Sequence, residues 1–163
     1  MNSSPPTVSI LMSVYNNDRF LEAAIDSMLR QTFTDFEFLI LDDGSIDRSP
    51  EILQAYAAKD PRIRVTIQKN QGLAKSLNQL LAQAQGELIA RMDADDIALP
   101  ERLERQVSFL KQHPEILVVG TAFDRIDAKG RFLDHCDPPQ TDAEIQTLLI
   151  GGTSLLLHPA TML

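Results

Sequence analysis

The segment "RMDADDIALPERL", Arg91 to Leu103, places three aspartates, Asp93, Asp95 and Asp96, within four residues. An apolar run precedes it and a helical pattern follows. Two carboxylates about 4 Å apart repel by roughly 4 kcal/mol at an effective dielectric of about 20. Crowding of this kind calls for a counter-charge or full solvation. A solvated loop before a helix N-terminus gains only about 0.3 to 1 kcal/mol from the helix dipole, and one acid would suffice for that. A hard divalent cation accounts for the cluster better, because carboxylate oxygens are its preferred ligands. Asp93 and Asp95 lie two apart, so an extended backbone sends both to one face, and a turn at Asp95 and Asp96 can also aim them inward. One or two carboxylates with open positions suit Mg²⁺ or Mn²⁺ shared with a phosphate.

Two more polar clusters end apolar runs: Ser13-Val14-Tyr15-Asn16 and Asp42-Asp43-Gly44-Ser45. Taken singly, the second is a turn whose Asp and Gly supply loop geometry and whose Ser45 or Asp47 helps cap the next helix. Tyr15 taken singly is a packing residue. Three such strand ends together exceed what turns require. Competing motifs fail on spacing. An EF-hand loop starting at Asp93 would put Ile97 at its fifth place and Ala98 where glycine is required. A phosphatase with an Asp nucleophile wants its Asp-x-Asp on the first strand. Neither a G-x-x-x-x-G-K-[ST] loop nor a G-x-G-x-x-G fingerprint occurs.

The elements that must position these clusters can be read from periodicity. "TVSILMSVY" is a first strand, and Asn17 or Asp18 caps a helix over about 19–31 with Leu21, Ile25, Met28 and Leu29 on one face. "FEFLILDDGS" is apolar on both faces and marks an interior parallel strand. Ser49-Pro50-Glu51 opens a helix that stops before "DPRIRV". "IRVTI" is a strand, and "GLAKSLNQLLAQAQ" is a helix with Leu73, Leu77, Leu80, Leu81 and Ala84 inward and Gly86 as its stop. "ELIARM" is the fourth strand. Pro100 opens a helix with Leu103, Val107 and Leu110 at helical spacing, ending at His113. This alternation predicts an α/β fold with a doubly wound, mainly parallel sheet, in which ligands bind beyond the carboxyl ends of the strands. After Pro114, "EILVVGTAFDRID" and "GRFLDHC" form a strand, turn and returning strand. A short helix over about 142–149 and an apolar "SLLLH" follow.

Composition narrows the function. The 163 residues suit one domain with one core. An excess of 23 Asp+Glu over 15 Lys+Arg, without a basic stripe, excludes a general nucleic-acid binder. The lone Cys136 rules out an intramolecular disulfide and points to a reducing compartment. "MNSSPPTV" lacks the charge and apolar core of a signal peptide, and no apolar run reaches the ~18 residues of a membrane span. The expected location is cytoplasmic, with a peripheral contact at the inner face of a membrane left open.

With these strand ends assembled, the chain resembles the nucleotide-sugar-dependent glycosyltransferases of the GT-A fold, specifically the large inverting family 2. The likeness runs from Val8 through "VSILMSVYNN", "QTFTDFEFLILDDGSIDRS" and "NQGLAKSLNQLLAQAQGELIARMDADDIALPERLERQVSFLKQHPEI". "GELIARMDADDIALPERL" is its most specific block. The resemblance implies a Rossmann-like α/β/α sandwich, with a flexible tail over 1–7 and a nucleotide-sugar-binding domain over 8–163. It also implies a UDP-sugar donor, Mn²⁺ or Mg²⁺, and a sugar, lipid-linked or glycan acceptor, in a setting such as bacterial cell-surface polysaccharide synthesis.

Carried over by position, the resemblance implies that Tyr15 lies against the uracil ring and Asp43 bonds its polar edge, while Asp42 braces the loop. Asp93 faces ribose or metal, and Asp95 ligates the metal at the diphosphate with Asp96 in support. Asn70 and Lys75 fall in the segment that faces the nucleotide, and His158 in the region that faces the acceptor. Ser13 stands where many relatives have Pro. The family's catalytic carboxylate lies downstream of a segment like "LLLHPATML", so the expectation is a donor half truncated before its base. Asp124, Asp127, Asp134 and Asp137 match no base motif and read as a solvated hairpin. Two alternatives stay open: a nucleotide-sugar binding module without turnover, and a receiver-like signalling domain, which the order of the paired acids disfavours.

Overall fold

Four apolar runs become the strands β1 (Val8–Val14), β2 (Phe36–Asp42), β3 (Ile63–Ile67) and β4 (Leu88–Arg91). In the computed structural model, which describes residues 4–151 and 157–163, they form one parallel sheet ordered β3-β2-β1-β4. β1 is central because it is covered on both faces and pairs on both edges: Val14 with Asp42 on one side, Leu11 with Arg91 on the other. The connecting helices are α1 (Leu21–Leu29), α2 (Ser49–Ala57), α3 (Leu73–Leu81) and α4 (Arg102–Gln112). Alternate strand residues point to opposite faces. Val8, Ile10, Met12 and Val14 therefore join Phe36, Phe38 and Ile40 against Leu21, Ile25 and Met28 of α1, Leu53 of α2 and Leu103 and Val107 of α4. Leu11, Leu39 and Leu41 face the other way, onto Leu80 of α3. Each such buried side chain contributes about 1.5 to 3 kcal/mol. The result is the parallel sheet expected from the alternation of elements, in the α/β/α sandwich that the resemblance implies.

Several local expectations are corrected. α1 is shorter than 19–31, and neither the Asn17 nor the Asp18 side chain caps it; the backbone carbonyl of Asn17 accepts from the Phe20 and Leu21 N–H groups at 3.2 and 3.1 Å. α3 ends at Leu81, so Gly86 is not its stop. Gly86 passes so close to β1 that a Cβ there would lie 2.5 Å from the Ser9 nitrogen, and its own N–H donates to Ser9 Oγ at 2.8 Å. Leu73 and Leu81, expected inward, are 52% and 48% exposed, whereas Leu80, with Leu77 and Ala84 beside it, packs against Leu11, Leu39 and Leu41 as expected.

Beyond α4, the run "EILVVGTAFDRID" is a strand only over β5 (Phe123–Ile126), which pairs antiparallel with β6 (Phe132–Cys136). Val119, upstream of it, bridges Met162 instead. α5 (Asp142–Ile150) matches the expected helix. Residues 154–156 of "SLLLH" and 1–3 of the tail lie outside the described residues. The Thr161–Leu163 segment returns to the sheet: Arg91 N–H donates to the Thr161 carbonyl at 3.0 Å, and Ile89 exchanges two hydrogen bonds with Leu163. Met162 is thereby buried between Ala90 and Val119, and the β4 edge is covered.

Candidate functional site

The three polar clusters gather at the carboxyl end of the sheet. β1 and β4 lie side by side where the strand order reverses, the place at which open α/β sheets form a ligand crevice. Ser13, half-buried, lies near the end of β1, and Tyr15 follows it with its ring 55% exposed. Asp42 ends β2, and Asp43 follows with its N–H donating to the Val14 carbonyl at 2.8 Å, which ties the two strand ends together.

Asp42 and Asp43 are both buried, with different partners. Asp43 Oδ1 accepts from Gln68 Nε2 at 2.7 Å and Gln71 N–H at 2.9 Å, and Oδ2 accepts from Gly72 N–H at 2.8 Å. Gly72 is the N-cap of α3 and has no side chain to offer, so Asp43, from the loop after β2, takes up its N–H instead. Burial pushes the Asp43 carboxyl up, but the bonds from Gln68, Gln71 and Gly72 together outweigh it and hold the group below the ordinary carboxylate value. Asp42 Oδ1 accepts from Ser45 N–H at 3.3 Å, whereas its buried Oδ2 meets no donor among the described residues. Gly44 between them is required twice over: its φ is +80°, and a Cβ would lie 2.8 Å from the Asn70 nitrogen. Asn70 and Lys75 are exposed on this side.

The loop after β1 is tied to the loop after β2. Asn16 adopts a left-handed backbone with φ +51°, which asparagine tolerates better than other residues with a side chain. Its N–H donates to Ser45 Oγ at 2.9 Å, and its Oδ1 accepts from Ile46 N–H at 2.8 Å. The Asn17 N–H donates to Ser49 Oγ at 3.2 Å and the Asp18 N–H to Asp47 Oδ2 at 2.9 Å. Asp47 also accepts from Ser49 N–H at 3.0 Å, so it, rather than Ser45, caps α2. Burial raises the Asp47 carboxyl, but these hydrogen bonds prevail and hold it low.

The aspartate-rich loop hangs between two anchors. Met92 N–H donates to the Leu11 carbonyl at one end; at the other, Ser27 Oγ accepts from Ala98 N–H, and Gln31 of the α1–β2 connection bonds the Leu99 carbonyl and Leu103 N–H. The strand stops at Arg91, so Asp93 and Asp95 are separated by a turn at Ala94 and Asp95, with Asp96 N–H on the Asp93 carbonyl at 3.4 Å. Asp95 is exposed. Burial, then repulsion from Asp93 and Asp95, pushes the Asp96 carboxyl up.

Two buried arginines beneath this loop were missed by reading the sequence. Arg91, 5% exposed, pairs with Asp93 and with the Met92 carbonyl, and its Nε has no partner among the described residues. Arg102, equally buried, donates to the Arg91 carbonyl at 2.7 Å and to Gln106 Oε1 at 3.2 Å. Burial lowers its pKa to about 10, with Asp96 opposing and Arg91 adding to the shift. The crowded carboxylates are thus partly offset from below, and the Arg91 guanidinium is the counter-charge of Asp93. The available signals were a charge inside the apolar run "ELIARM" and another beside the apolar stripe of α4. His158, on a 3-10 turn over His158–Ala160, comes within electrostatic reach of both Arg91 and Asp93. Burial, then Arg91, lowers its pKa against the pull of Asp93.

Asp93 and Asp95 offer only oxygen donors, the set a hard cation prefers. Among the described residues no group of three or more His, Cys, Asp or Glu stands ready to hold an ion. These two carboxylates suit a cation that completes its shell with phosphate and water rather than a closed protein cage.

Residues 9–153 match the family model for glycosyl transferase family 2. Bacillus subtilis EpsE, named only provisionally as a glycosyltransferase, is 43% identical over 135 residues, covering 80% of this chain and 48% of EpsE. The amylovoran biosynthesis glycosyltransferase AmsE of Erwinia amylovora is 36% identical, covering 76% of this chain and 47% of AmsE. The chain spans about half the length of the curated relatives it matches. Among solved structures, Staphylococcus aureus TarS 1–349 in complex with UDP-GlcNAc superposes with a TM-score of 0.62 and 29% identity, over 66% of this chain and 32% of that one. The mannosyltransferase PcManGT of Pyrobaculum calidifontis, in complex with GDP-Man and Mn²⁺, gives 0.65 and 25%, over 74% and 36%.

Proposed function

This chain belongs to glycosyl transferase family 2, and from that premise we propose that it is the donor-binding part of an enzyme transferring a sugar from a UDP-sugar to a hydroxyl acceptor with inversion. The observation that carries the reading is the convergence of Tyr15, the Asp42–Asp43 pair and the Asp93–Asp95 turn on one end of one parallel sheet, at the reversal of strand order. Solved relatives with UDP, UDP-GlcNAc, or GDP-Man and Mn²⁺ support a nucleotide-sugar donor and a divalent ion. Relatives named for amylovoran and O-antigen biosynthesis support a role in surface polysaccharide assembly.

In this reading the exposed ring of Tyr15 takes the base face, and Ser13 and Asp43 lie on the nucleoside side. Asp43 does so with both oxygens already engaged, so it acts first by fixing the 68–72 segment around the base. Asp93 and Asp95, with Asp96 in support, hold Mn²⁺ or Mg²⁺, which when bound neutralises charge on the departing diphosphate. Arg91 keeps Asp93 oriented, and Arg102 beneath it limits the net negative charge that the diphosphate meets. His158, beyond Asp93, lies on the acceptor side. The base that deprotonates the acceptor hydroxyl belongs to a further part of the protein, a reading supported by relatives of which the match covers about half. A tail over 1–7 and a domain over 8–163 remain the proposed division. No described helix is long and apolar enough to cross a membrane. A cytoplasmic setting with contact at the inner membrane face fits lipid-linked acceptors.

The test is UDP binding by calorimetry, with and without Mn²⁺, on this chain and on Asp95→Asn. Asp95 is exposed, so the substitution should leave folding stability within about 0.5 kcal/mol. Metal-dependent binding that disappears in the variant is expected. Failure of the folded wild-type chain to bind UDP with either ion would remove the donor-site reading. Binding without sugar transfer, when the rest of the protein is restored, would instead favour a nucleotide-sugar binding module.

A further inference from the structure

We propose that Asn16 is a positioning residue that locks the β1–α1 loop to the β2–α2 loop, holding Tyr15 and the Asp42–Asp43 pair in fixed mutual geometry before any nucleotide arrives. The inference rests on the donor-site reading for its consequence, though not for its geometry. Asn16 directly follows Tyr15. Its left-handed backbone at φ +51° turns the chain sharply after the exposed ring. That turn aims the Asn16 N–H at Ser45 Oγ, 2.9 Å away, and its Oδ1 at Ile46 N–H, 2.8 Å away. Ser45 is in turn held by its own N–H on Asp42 Oδ1 at 3.3 Å. One residue therefore connects the ring to the carboxylate pair through two hydrogen bonds in opposite directions. The next two N–H groups, of Asn17 and Asp18, are taken by Ser49 at the start of α2 and by Asp47 of the opposing loop.

Asparagine is suited to this place for two separable reasons. Its short polar side chain tolerates the left-handed region, and its amide oxygen supplies the acceptor for Ile46 N–H. Glycine keeps the first property and loses the second. Aspartate keeps both. Alanine loses both. Pre-ordering of this kind improves ligand affinity by removing the entropy of ordering the loop on binding.

The chain has two tyrosines and no tryptophan, so 3-fluorotyrosine labelling gives two ¹⁹F resonances, assigned with Tyr15→Phe. Tyr56, bonded to Asp26 at 2.8 Å on the α1–α2 side, reports on the fold as a whole. In Asn16→Ala and Asn16→Gly, the Tyr15 resonance should shift or broaden while that of Tyr56 stays in place. UDP affinity should fall about three- to tenfold, the loss expected for about one hydrogen bond. Asn16→Asp should restore both. Variants that bind UDP like wild type with an unmoved Tyr15 resonance would overturn the proposal, and so would weakened binding with that resonance unmoved. If wild type itself fails to bind UDP, the donor-site reading falls, and the Tyr15 resonance still decides whether Asn16 locks the loops.

Discussion

Replacing Asp43 by asparagine changes one oxygen to an amide nitrogen, and its cost can be worked from the contacts. The carboxylate accepts from Gln68 Nε2 and Gln71 N–H on Oδ1 and from Gly72 N–H on Oδ2. If the asparagine keeps its oxygen on the Oδ1 side, its NH₂ group faces the Gly72 N–H, donor against donor. An unsatisfied buried N–H costs about 1 to 3 kcal/mol, and the two remaining bonds each lose about 1 kcal/mol when the acceptor is no longer charged. The total is about 3 to 5 kcal/mol, a large share of a typical domain's stability of about 5 to 15 kcal/mol. For a chain of this size that corresponds to a fall in Tm of about 6 to 20 °C. The folded carboxyl is held below 3.8, so its stabilisation is present above the unfolded value and is lost as pH falls through the folded one. The gap in stability between wild type and Asp43→Asn should be constant from about pH 7 to pH 5, then narrow below about pH 4. Urea unfolding across that range measures it. A loss under about 1 kcal/mol at pH 7, or a gap that does not narrow in acid, would refute the capping role.

Two further outcomes follow from local geometry. Gly86→Ala would drive a methyl group to 2.5 Å from the Ser9 nitrogen and 2.7 Å from the Val8 carbonyl carbon, both backbone, so it should cost about 1 to 3 kcal/mol in urea unfolding. His135 in β6 bonds Asp124 through Nδ1 at 2.5 Å and Asp137 through Nε2 at 3.2 Å, and these two bonds raise its pKa above 6.5. Any hold this clasp gives the hairpin is therefore complete below pH 6.5 and lost as pH rises through the folded value. NMR titration should show His135 titrating above His158, which burial lowers, with Asp124→Asn moving His135 down and leaving His158 in place.

How much of this was legible in the residues differs from element to element. β1 and β2 declared themselves because a strand buried on both faces must be apolar throughout, and the helices because their Leu and Val stripes recur at helical spacing. The polar triplets and pairs at the ends of β1, β2 and β4 were legible because they interrupt those runs abruptly. The direction in which the exposed leucines of α3 point was not. Leu73 and Leu81 share the helical stripe with Leu80, yet only the packing of the folded chain shows that Leu80 is buried and the other two are not.

The sequence by itself determined the order of strands and helices, the family, and the residues gathered at the strand ends, since all of these depend on local pattern and on near neighbours along the chain. The tertiary structure alone decided their partners. Asp43 serves α3, Asn16 reaches Ser45 and Ile46, Gly86 presses on Ser9, and Arg91 and Arg102 sit beneath three aspartates. Apart from the arginine–aspartate contacts around the 91–102 loop, these contacts join residues well apart in sequence. A buried polar group takes whichever partner the packing brings within 3 Å, and no periodicity in one dimension records which residue that will be.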